Sequence, residues 1–282
     1  MTYPRPKRSL GQNFLVDQQL ADAFVAGLGV WPSANVLEVG PGRGALTKRL
    51  VMMLEAEGTL RLVEKDDIIA ERLAKEYSQD HRVTVVHEDI LGTDLVALAD
   101  DGPWLVLGNL PYNVAGRIAM ALLETRSRDG EPLARQMVLG FQREVAQRFT
   151  ARPGDKAYNA LSVMVSTLAR CRKLFDLPPE AYRPQPKVWS QALRIDPRHD
   201  IDLGQGSWEG FRAFVHAAFT HRRKTIVNAL KDHELCAGIE IGSLIREAEI
   251  EPGVRAQDIG PAQFQRMFRV LEMRSTVGTG RQ

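Results

Sequence analysis

Asn35-Val36-Leu37-Glu38-Val39-Gly40-Pro41-Gly42-Arg43-Gly44-Ala45 is the stretch on which the fold turns. Its first five residues read as a strand that ends at Gly40, and Ala45 to Leu54 reads as a helix. The glycines between them let the backbone approach a ligand closely, and the start of a helix favours an anion. Moving outward, the alternation repeats. Thr59 to Val63 is a second strand ending at Glu64, and Asp67 to Tyr77 is helical in pattern. Val83 to Val86 is a third strand ending near Asp89, and Trp104 to Leu107 is a fourth. Alternating strands and helices predict a parallel sheet covered on both faces, with right-handed crossovers placing the strand ends along one edge. Gly40, Glu64, Asp89 and Asn109 all fall at those ends, where open α/β sheets bind ligands.

The α/β pattern continues with a strand at Met137 to Phe141 and a charged helix at Gln142 to Thr150. Ala160 to Ala169 fits either a helix or a strand. Phe175 to Leu177 and Gln191 to Ile195 read as late strands. Between them Pro178 to Ser190 carries prolines at 178, 179, 184 and 186, which predict a stiff loop and no regular element. The polar, glycine-rich stretch Pro197 to Gly210 is the best boundary. Beyond it Phe211, Phe214, Val215 and Ala218 follow helical spacing, and Leu244 to Ala248 and Pro261 to Met273 suggest further helices. The expected organisation is an α/β domain over residues 1–200, with a basic N-terminal arm, and a smaller all-α domain over residues 201–282.

The net charge of the 282 residues is only +2, but it is unevenly placed. Residues 14–113 hold 8 basic and 16 acidic side chains, a net of −8, whereas residues 114–200 hold 15 and 9, a net of +6. The N-terminus adds Arg5, Lys7 and Arg8 with no acidic residue before Asp17. An acidic first half between basic flanks suits a polyanionic partner. Arg222-Arg223-Lys224 centres a segment, Phe211 to Lys231, that has five basic residues and no acidic one. That run fits phosphate contacts to structured RNA, and it fits a solvated helix face. No stretch approaches the roughly 18 uninterrupted apolar residues of a membrane helix. No apolar signal core follows the basic N-terminus, so a cytoplasmic location and two free thiols, Cys171 and Cys236, are expected. His216 and His221 share no helix face and lack cysteine or carboxylate partners, so no metal is expected. Phe211, Phe214 and Phe219 are expected in a core, not on a stacking surface.

The chemistry is concentrated at Asn109-Leu110-Pro111-Tyr112, which follows the fourth strand and Gly108. Glycine and proline make the chain turn there. An amide, a backbone carbonyl and an aromatic ring then stand together at a strand's carboxyl end. The two oxygens can accept hydrogen bonds from an exocyclic amine, and the ring can stack on a base. Glu64 is placed to accept from ribose hydroxyls and Asp89 from an adenine amino group. Residues 40–45 also satisfy the dinucleotide pattern of spaced glycines, so residues 36–64 alone fit a nicotinamide cofactor or S-adenosylmethionine equally. Asp89 and residues 109–112 favour methyl transfer to an amino group, because a dehydrogenase needs a separate site for hydride transfer.

At these residues the chain resembles the ribosomal RNA adenine dimethyltransferases. The resemblance begins at Leu10-Gly11-Gln12-Asn13-Phe14-Leu15-Val16-Asp17 and runs through Glu38 to Gly42, Glu64-Lys65-Asp66 and Gly108 to Asn113. It continues through Gln142 to Arg148, Arg183-Pro184-Gln185-Pro186-Lys187-Val188 and Phe219 to Lys224. It implies a Rossmann-like S-adenosylmethionine-dependent methyltransferase domain followed by a helical RNA-binding part. The cofactor contacts implied are Asn13, Leu15, Gly40, Gly42, Glu64, Asp89 and Asn109. The adenine pocket implied is Asn109, Leu110, Pro111 and Tyr112. Tyr182 stands where the family usually has a phenylalanine that sandwiches the target base. Arg183, Lys187, Arg222, Arg223 and Lys224 are the implied RNA contacts. The implied partner is small-subunit ribosomal RNA in an assembling small subunit, dimethylated on two adjacent adenosines near its 3′ end by a monomer. Two departures stand out. Tyr158-Asn159-Ala160-Leu161-Ser162 replaces the usual Tyr-Gly-Arg-Leu-Ser, and Trp189 is bulkier than expected before Ser190. A relative that methylates one large-subunit adenine, a non-catalytic assembly factor and a nicotinamide dehydrogenase are the alternatives.

Overall fold

Val36, Leu37 and Val39 expose 2% or less of their surface, so the strand that carries them is covered on both faces, as parallel strands flanked by helices are. The computed structural model describes Lys7 and residues 11–279, with side chains as far as Arg274. The chain divides into two compact units. One runs to Ala146 and resumes over Ala169–His199, and the other comprises Gln147–Leu168 and the chain from Asp200 onward. The helical unit thus begins beside the expected division at 200 and also takes in Gln147–Leu168.

The first unit is a Rossmann-like α/β sheet. Its elements are β1 (Phe14–Leu15), α1 (Gln18–Leu28), β2 (Asn35–Val39), α2 (Thr47–Met53), β3 (Thr59–Glu64), α3 (Asp67–Glu76), β4 (Val83–His87), α4 (Leu95–Asp100), β5 (Trp104–Asn109), α5 (Ala115–Glu124), β6 (Ala134–Gln142), the start of α6 (Arg143–Thr150), β7 (Ala169–Leu177), β8 (Tyr182–Arg183) and β9 (Ser190–Pro197). The seven-stranded order is β4-β3-β2-β5-β6-β9-β7. The strands from β4 to β6 are parallel, and β9 runs antiparallel to both β6 and β7. Chain order reverses between β2 and β5, and the crevice outside the carboxyl ends of such a pair is the usual ligand position. Gly40 and Asn109 flank that crevice. Gly108 allows the two strands to converge there, because a Cβ on it would lie 2.8 Å from the Val39 carbonyl oxygen. Side-chain caps fix where α1 and α3 start. Asp17 accepts from the Leu20 N–H, and Asp66 from those of Ile68 and Ile69.

The proline-rich stretch from 178 to 190 is a loop with two short regular pieces where none was expected, a 3-10 turn at Pro179–Ala181 and then β8. Leu15 pairs with Tyr182 and Phe14 with Arg183 in a two-stranded antiparallel ladder. Four residues suffice for this ladder because it is fixed at both ends by the core. Phe14, Leu15 and Tyr182 all expose 8% or less.

The second unit is all-α: the remainder of α6, α7 (Ala160–Leu168), α8 (Trp208–Phe219), α9 (Ile226–Leu230), α10 (Ile241–Glu247) and α11 (Pro261–Thr279). Its core is built on Phe211, Phe214, Leu244, Phe264 and Phe268, with Phe219 packed against it. Ala160–Leu168 is a helix, and Asn159 explains its start. Its side-chain oxygen accepts from the Ser162 N–H at 3.2 Å while the Ser162 hydroxyl accepts from the Asn159 N–H at 3.1 Å. This reciprocal cap satisfies two backbone donors at once.

Candidate active site

Two glycines form the floor of the site. Gly40 leaves β2 at a φ of +65°, and a Cβ on it would meet no atom within 4 Å, so its backbone borders open space. Gly42 has a φ of +55° and its would-be Cβ lies 3.0 Å from the Phe14 ring. A larger residue at Gly42 meets both backbone strain and a clash. The Arg43 guanidinium carbon lies 4.5 Å from the Phe14 ring centroid, so the N-terminal strand is held against this turn.

Carboxylates line one side. Glu64, 7% exposed at the end of β3, accepts from the Gly42 N–H at 3.0 Å and the Asp66 N–H at 2.8 Å, one on each oxygen. Burial raises its pKa, with the backbone donors opposing. Each oxygen keeps a lone pair for a further donor. Glu38, inside β2 and 1% exposed, accepts from the Thr47 hydroxyl at 2.7 Å, and burial pushes its pKa up to about 8. Asp89 lies beyond β4 with one oxygen on Lys65 Nζ at 2.7 Å and the other accepting from the Leu91 N–H at 3.1 Å. The Lys65 hydrogen bond holds its carboxyl below the usual range. Lys7 Nζ reaches Asp66 at 3.1 Å and Asp67 at 2.7 Å, and the Gln12 amide donates to Asp66 at 3.0 Å. The described N-terminal residues are thereby fastened to the start of α3. Arg5 and Arg8 lie outside the described residues.

The fourth corner is Asn109. Its Nδ2 donates to the Asn13 carbonyl at 3.3 Å, and its Oδ1 accepts from the Tyr182 hydroxyl at 3.1 Å. The amide is therefore held at both ends. Its oxygen retains one lone pair. The Pro111 carbonyl accepts from the N–H groups of Val114 and Ala115 and starts α5, which leaves the Leu110 carbonyl as the available backbone acceptor. Tyr112 is half-buried, and its hydroxyl lies 2.7 Å from Ser190 Oγ. The Tyr112 and Tyr182 rings meet edge-on, 6.5 Å apart at 71°. Burial raises the pKa of both phenols, so both are neutral hydrogen-bonding groups near pH 7.

One cavity is lined by Asn13, Leu15, Gly40, Gly42, Glu64, Asp89 and Asn109 through Tyr112 together. Tyr182 is fully buried and reaches this cavity through Asn109. Arg183 and Lys187 are exposed on the loop before β9. In the helical unit Arg222, Arg223 and Lys224 are exposed in the turn between α8 and α9.

A model of the ribosomal RNA adenine dimethylase family matches residues 4–273. The chain belongs to this family. A relative from Syntrophotalea carbinolica, named ribosomal RNA small subunit methyltransferase A, is 37% identical over 270 residues, covering 95% of this chain and 97% of the relative. One of the same name from Xanthomonas oryzae is 34% identical, covering 94% and 95%. Among solved structures, a dimethyladenosine transferase from Plasmodium falciparum has a TM-score of 0.76 at 19% identity, over 93% of this chain and 98% of that one. The 23S rRNA methyltransferase ErmE has a TM-score of 0.67 at 24% identity, over 92% and 100%. These two likenesses establish the shared fold.

Within this family frame, three residues to which the sequence reading gave no role shape the site. Gly140 of β6 sits opposite Asn109, and a Cβ on it would lie 2.8 Å from Asn109 Oδ1 and 3.1 Å from Phe24. A glycine inside an apolar strand is the signal of such close approach. Ser190, fully buried, anchors the Tyr112 hydroxyl. Lys65 holds Asp89. The roles of the last two are not marked in a single sequence, because their partners, Tyr112 and Asp89, are distant along the chain.

Proposed function

We propose that this member of the dimethylase family transfers methyl groups from S-adenosylmethionine to the exocyclic amines of two adjacent adenosines near the 3′ end of small-subunit ribosomal RNA, in ribosome biogenesis. The observation that carries the reading is the doubly held Asn109 amide, whose oxygen keeps a free lone pair beside the Leu110 carbonyl. The residues fit the methyl donor. Open space at Gly40 leaves room beside the strand end, and the fixed Glu64 carboxylate suits ribose hydroxyls. Asn13, Leu15, Gly42, Asp89 and Asn109 complete the set that would hold it. When bound, S-adenosylmethionine supplies a methyl group activated by its sulfonium.

The chain's own residues do the rest. An adenine amine is a poor nucleophile because its lone pair is delocalised into the ring. Asn109 Oδ1 and the Leu110 carbonyl accept its two hydrogens, which favours a pyramidal nitrogen whose lone pair points away from them. This is positioning joined to electrostatic preorganisation. Neither tyrosine serves as a base, since both phenols hold their protons; the proton leaves after transfer. The target base enters by leaving its stack. The Tyr112 ring offers it a new face, at about 1–3 kcal/mol per stacked base. Tyr182 takes part through its hydroxyl on Asn109 and its edge against Tyr112, so the sandwich is one-sided in this arrangement. Arg183, Lys187, Arg222, Arg223 and Lys224 contact phosphates of the RNA. The chain works as a monomer in the cytoplasm, on an assembling small subunit.

The test is methyl transfer to small subunits that lack dimethyladenosine, followed by mass mapping of the ribosomal RNA. Two adjacent dimethyladenosines near the 3′ end are expected. An unmodified 3′ end after incubation with enzyme and donor would overturn the reading.

A further inference from the structure

We infer that Trp189 and Arg143 form a stacking platform for an unpaired RNA base next to the target adenosine. The inference rests on the functional reading above and deepens it. Trp189 immediately precedes β9 and keeps 43% of its surface exposed, and Val188 beside it keeps 44%. The Arg143 guanidinium carbon stands 5.0 Å from the indole centroid. The Arg143 N–H donates to the Trp189 carbonyl at 2.9 Å. Backbone and side chain therefore hold the two flat groups against each other.

The pair is indexed to the pocket from both sides. Ser190, the next residue, is fully buried and fixes the Tyr112 hydroxyl at 2.7 Å. Arg143 follows Gln142, which pairs with Ser190, and Gly140 two residues earlier pairs with Asn109. A few residues of rigid strand thus separate the platform from both acceptors of the adenine amine. Asp176 is taken up by Lys173 at 2.9 Å and by the Gln191 amide at 2.8 Å, and Arg143 is exposed. Arg183 and Lys187 are exposed on the same loop as Trp189.

The chemistry of this patch selects its ligand. A large exposed aromatic ring with a guanidinium stacked on it, among further cations, is the combination that binds single-stranded nucleic acid. Extruding one adenosine leaves its neighbour with a bare face. An indole close to the pocket can cover that face. The pocket reads the target amine, and the platform sets the strand's position.

Kinetics on small subunits lacking dimethyladenosine test the platform. Trp189→Ala is expected to raise KM for the subunits on the order of tenfold. The KM for S-adenosylmethionine, kcat and Tm should stay at wild-type values, and Trp189→Phe should restore most of the loss. Arg143→Ala should weaken subunit binding in the same direction. An unchanged subunit KM in Trp189→Ala, with an active wild type, overturns the platform and leaves the function standing. A fall in kcat alone overturns it too, because that pattern belongs to a prop for Ser190 and Tyr112. A wild type that transfers no methyl group overturns the functional reading and the platform with it.

Discussion

At the scale of single residues, the site depends on how one amide is oriented. Asn109→Ala removes the acceptor proposed for the adenine amine, and we expect methyl transfer to fall by about a thousandfold while donor binding measured by calorimetry persists in part. Gly140→Ala is the subtler probe. Its Cβ would press on Asn109 Oδ1 at 2.8 Å, so the amide must shift without any change in its chemistry. A displacement of that order costs about a hundredfold in kcat, with a smaller change in the donor Kd because Asn109 is one of several proposed donor contacts. Normal turnover by this variant would mean that the orientation of Asn109 is not what catalysis uses. Tyr182→Phe keeps the ring and loses one of the two hydrogen bonds on the amide, so a smaller fall, under about tenfold, is expected. Glu38 governs stability. Its folded carboxyl keeps a proton up to about pH 8, whereas the unfolded chain releases it near the ordinary carboxylate value of 4.5. Between these values the folded state binds the extra proton, so stability decreases as pH rises through the window and levels off above it. Melts at about pH 5 and about pH 9 should show wild type losing stability toward the alkaline side by up to about 1.4 kcal/mol per pH unit within the window. Glu38→Gln should lose most of that slope. Glu64, shifted in the same direction, leaves a remainder.

Elements were legible in the sequence where burial alone defines them. β2 and β5 are mostly apolar runs because helices cover both faces of a parallel sheet, and Gly40, Glu64 and Asn109 fall at the ends of β2, β3 and β5 in the sequence pattern as in the fold. Pairing over long distance was not legible. β8 is two residues in a proline-rich loop, and its partner β1 lies at the far end of the chain, so nothing local marks either as a strand. β7 is longer than its apolar tail, because Arg170, Arg172 and Lys173 face outward on an edge strand. The first helix is set by tertiary packing as well. α1 buries Ala21, Phe24, Val25 and Leu28 as one stripe, but the motif residues just before it dominate a reading of that stretch. The start of α3 joins an element to the site. Asp66 caps that helix and also holds Lys7 and Gln12 of the N-terminal segment. Asp66→Ala should lower stability by about 1–2 kcal/mol through the lost cap. It should also weaken donor binding, because the segment carrying Asn13 loses its anchor. Thermal melting and calorimetry with S-adenosylmethionine read the two effects separately, and an unchanged donor Kd would detach the N-terminal segment from the cofactor site.

Across the whole molecule, the charge pattern divides the labour. The acidic stretch from 14 to 113 supplies most of the residues lining the cavity, while the excess of cations lies on the flanking segments, a pattern that suits a small cofactor bound by one part and a polyanion by the other. The turn holding Arg222, Arg223 and Lys224 belongs to a unit with its own aromatic core, so its charges can be removed without touching Asn109 or Glu64. Of these three, Arg222 also donates to the Tyr158 carbonyl at 3.3 Å, which fixes its stem and leaves other guanidinium donors for phosphate. Phosphate contacts release condensed counterions, so each one steepens the fall of affinity with salt by about 0.7–0.9 in a plot of log K against log salt. Replacing all three by glutamine should therefore flatten that slope by about 2–3 if each touches a phosphate. Binding of the variant and wild type to small subunits, measured over a salt series, gives the slopes directly. Donor affinity and the kcat reached at saturating subunits should be unchanged, because the adenine pocket is intact. Equal slopes for the two proteins would make the turn an ordinary solvated surface and transfer the phosphate contacts to Arg183, Lys187 and other cations of the α/β unit.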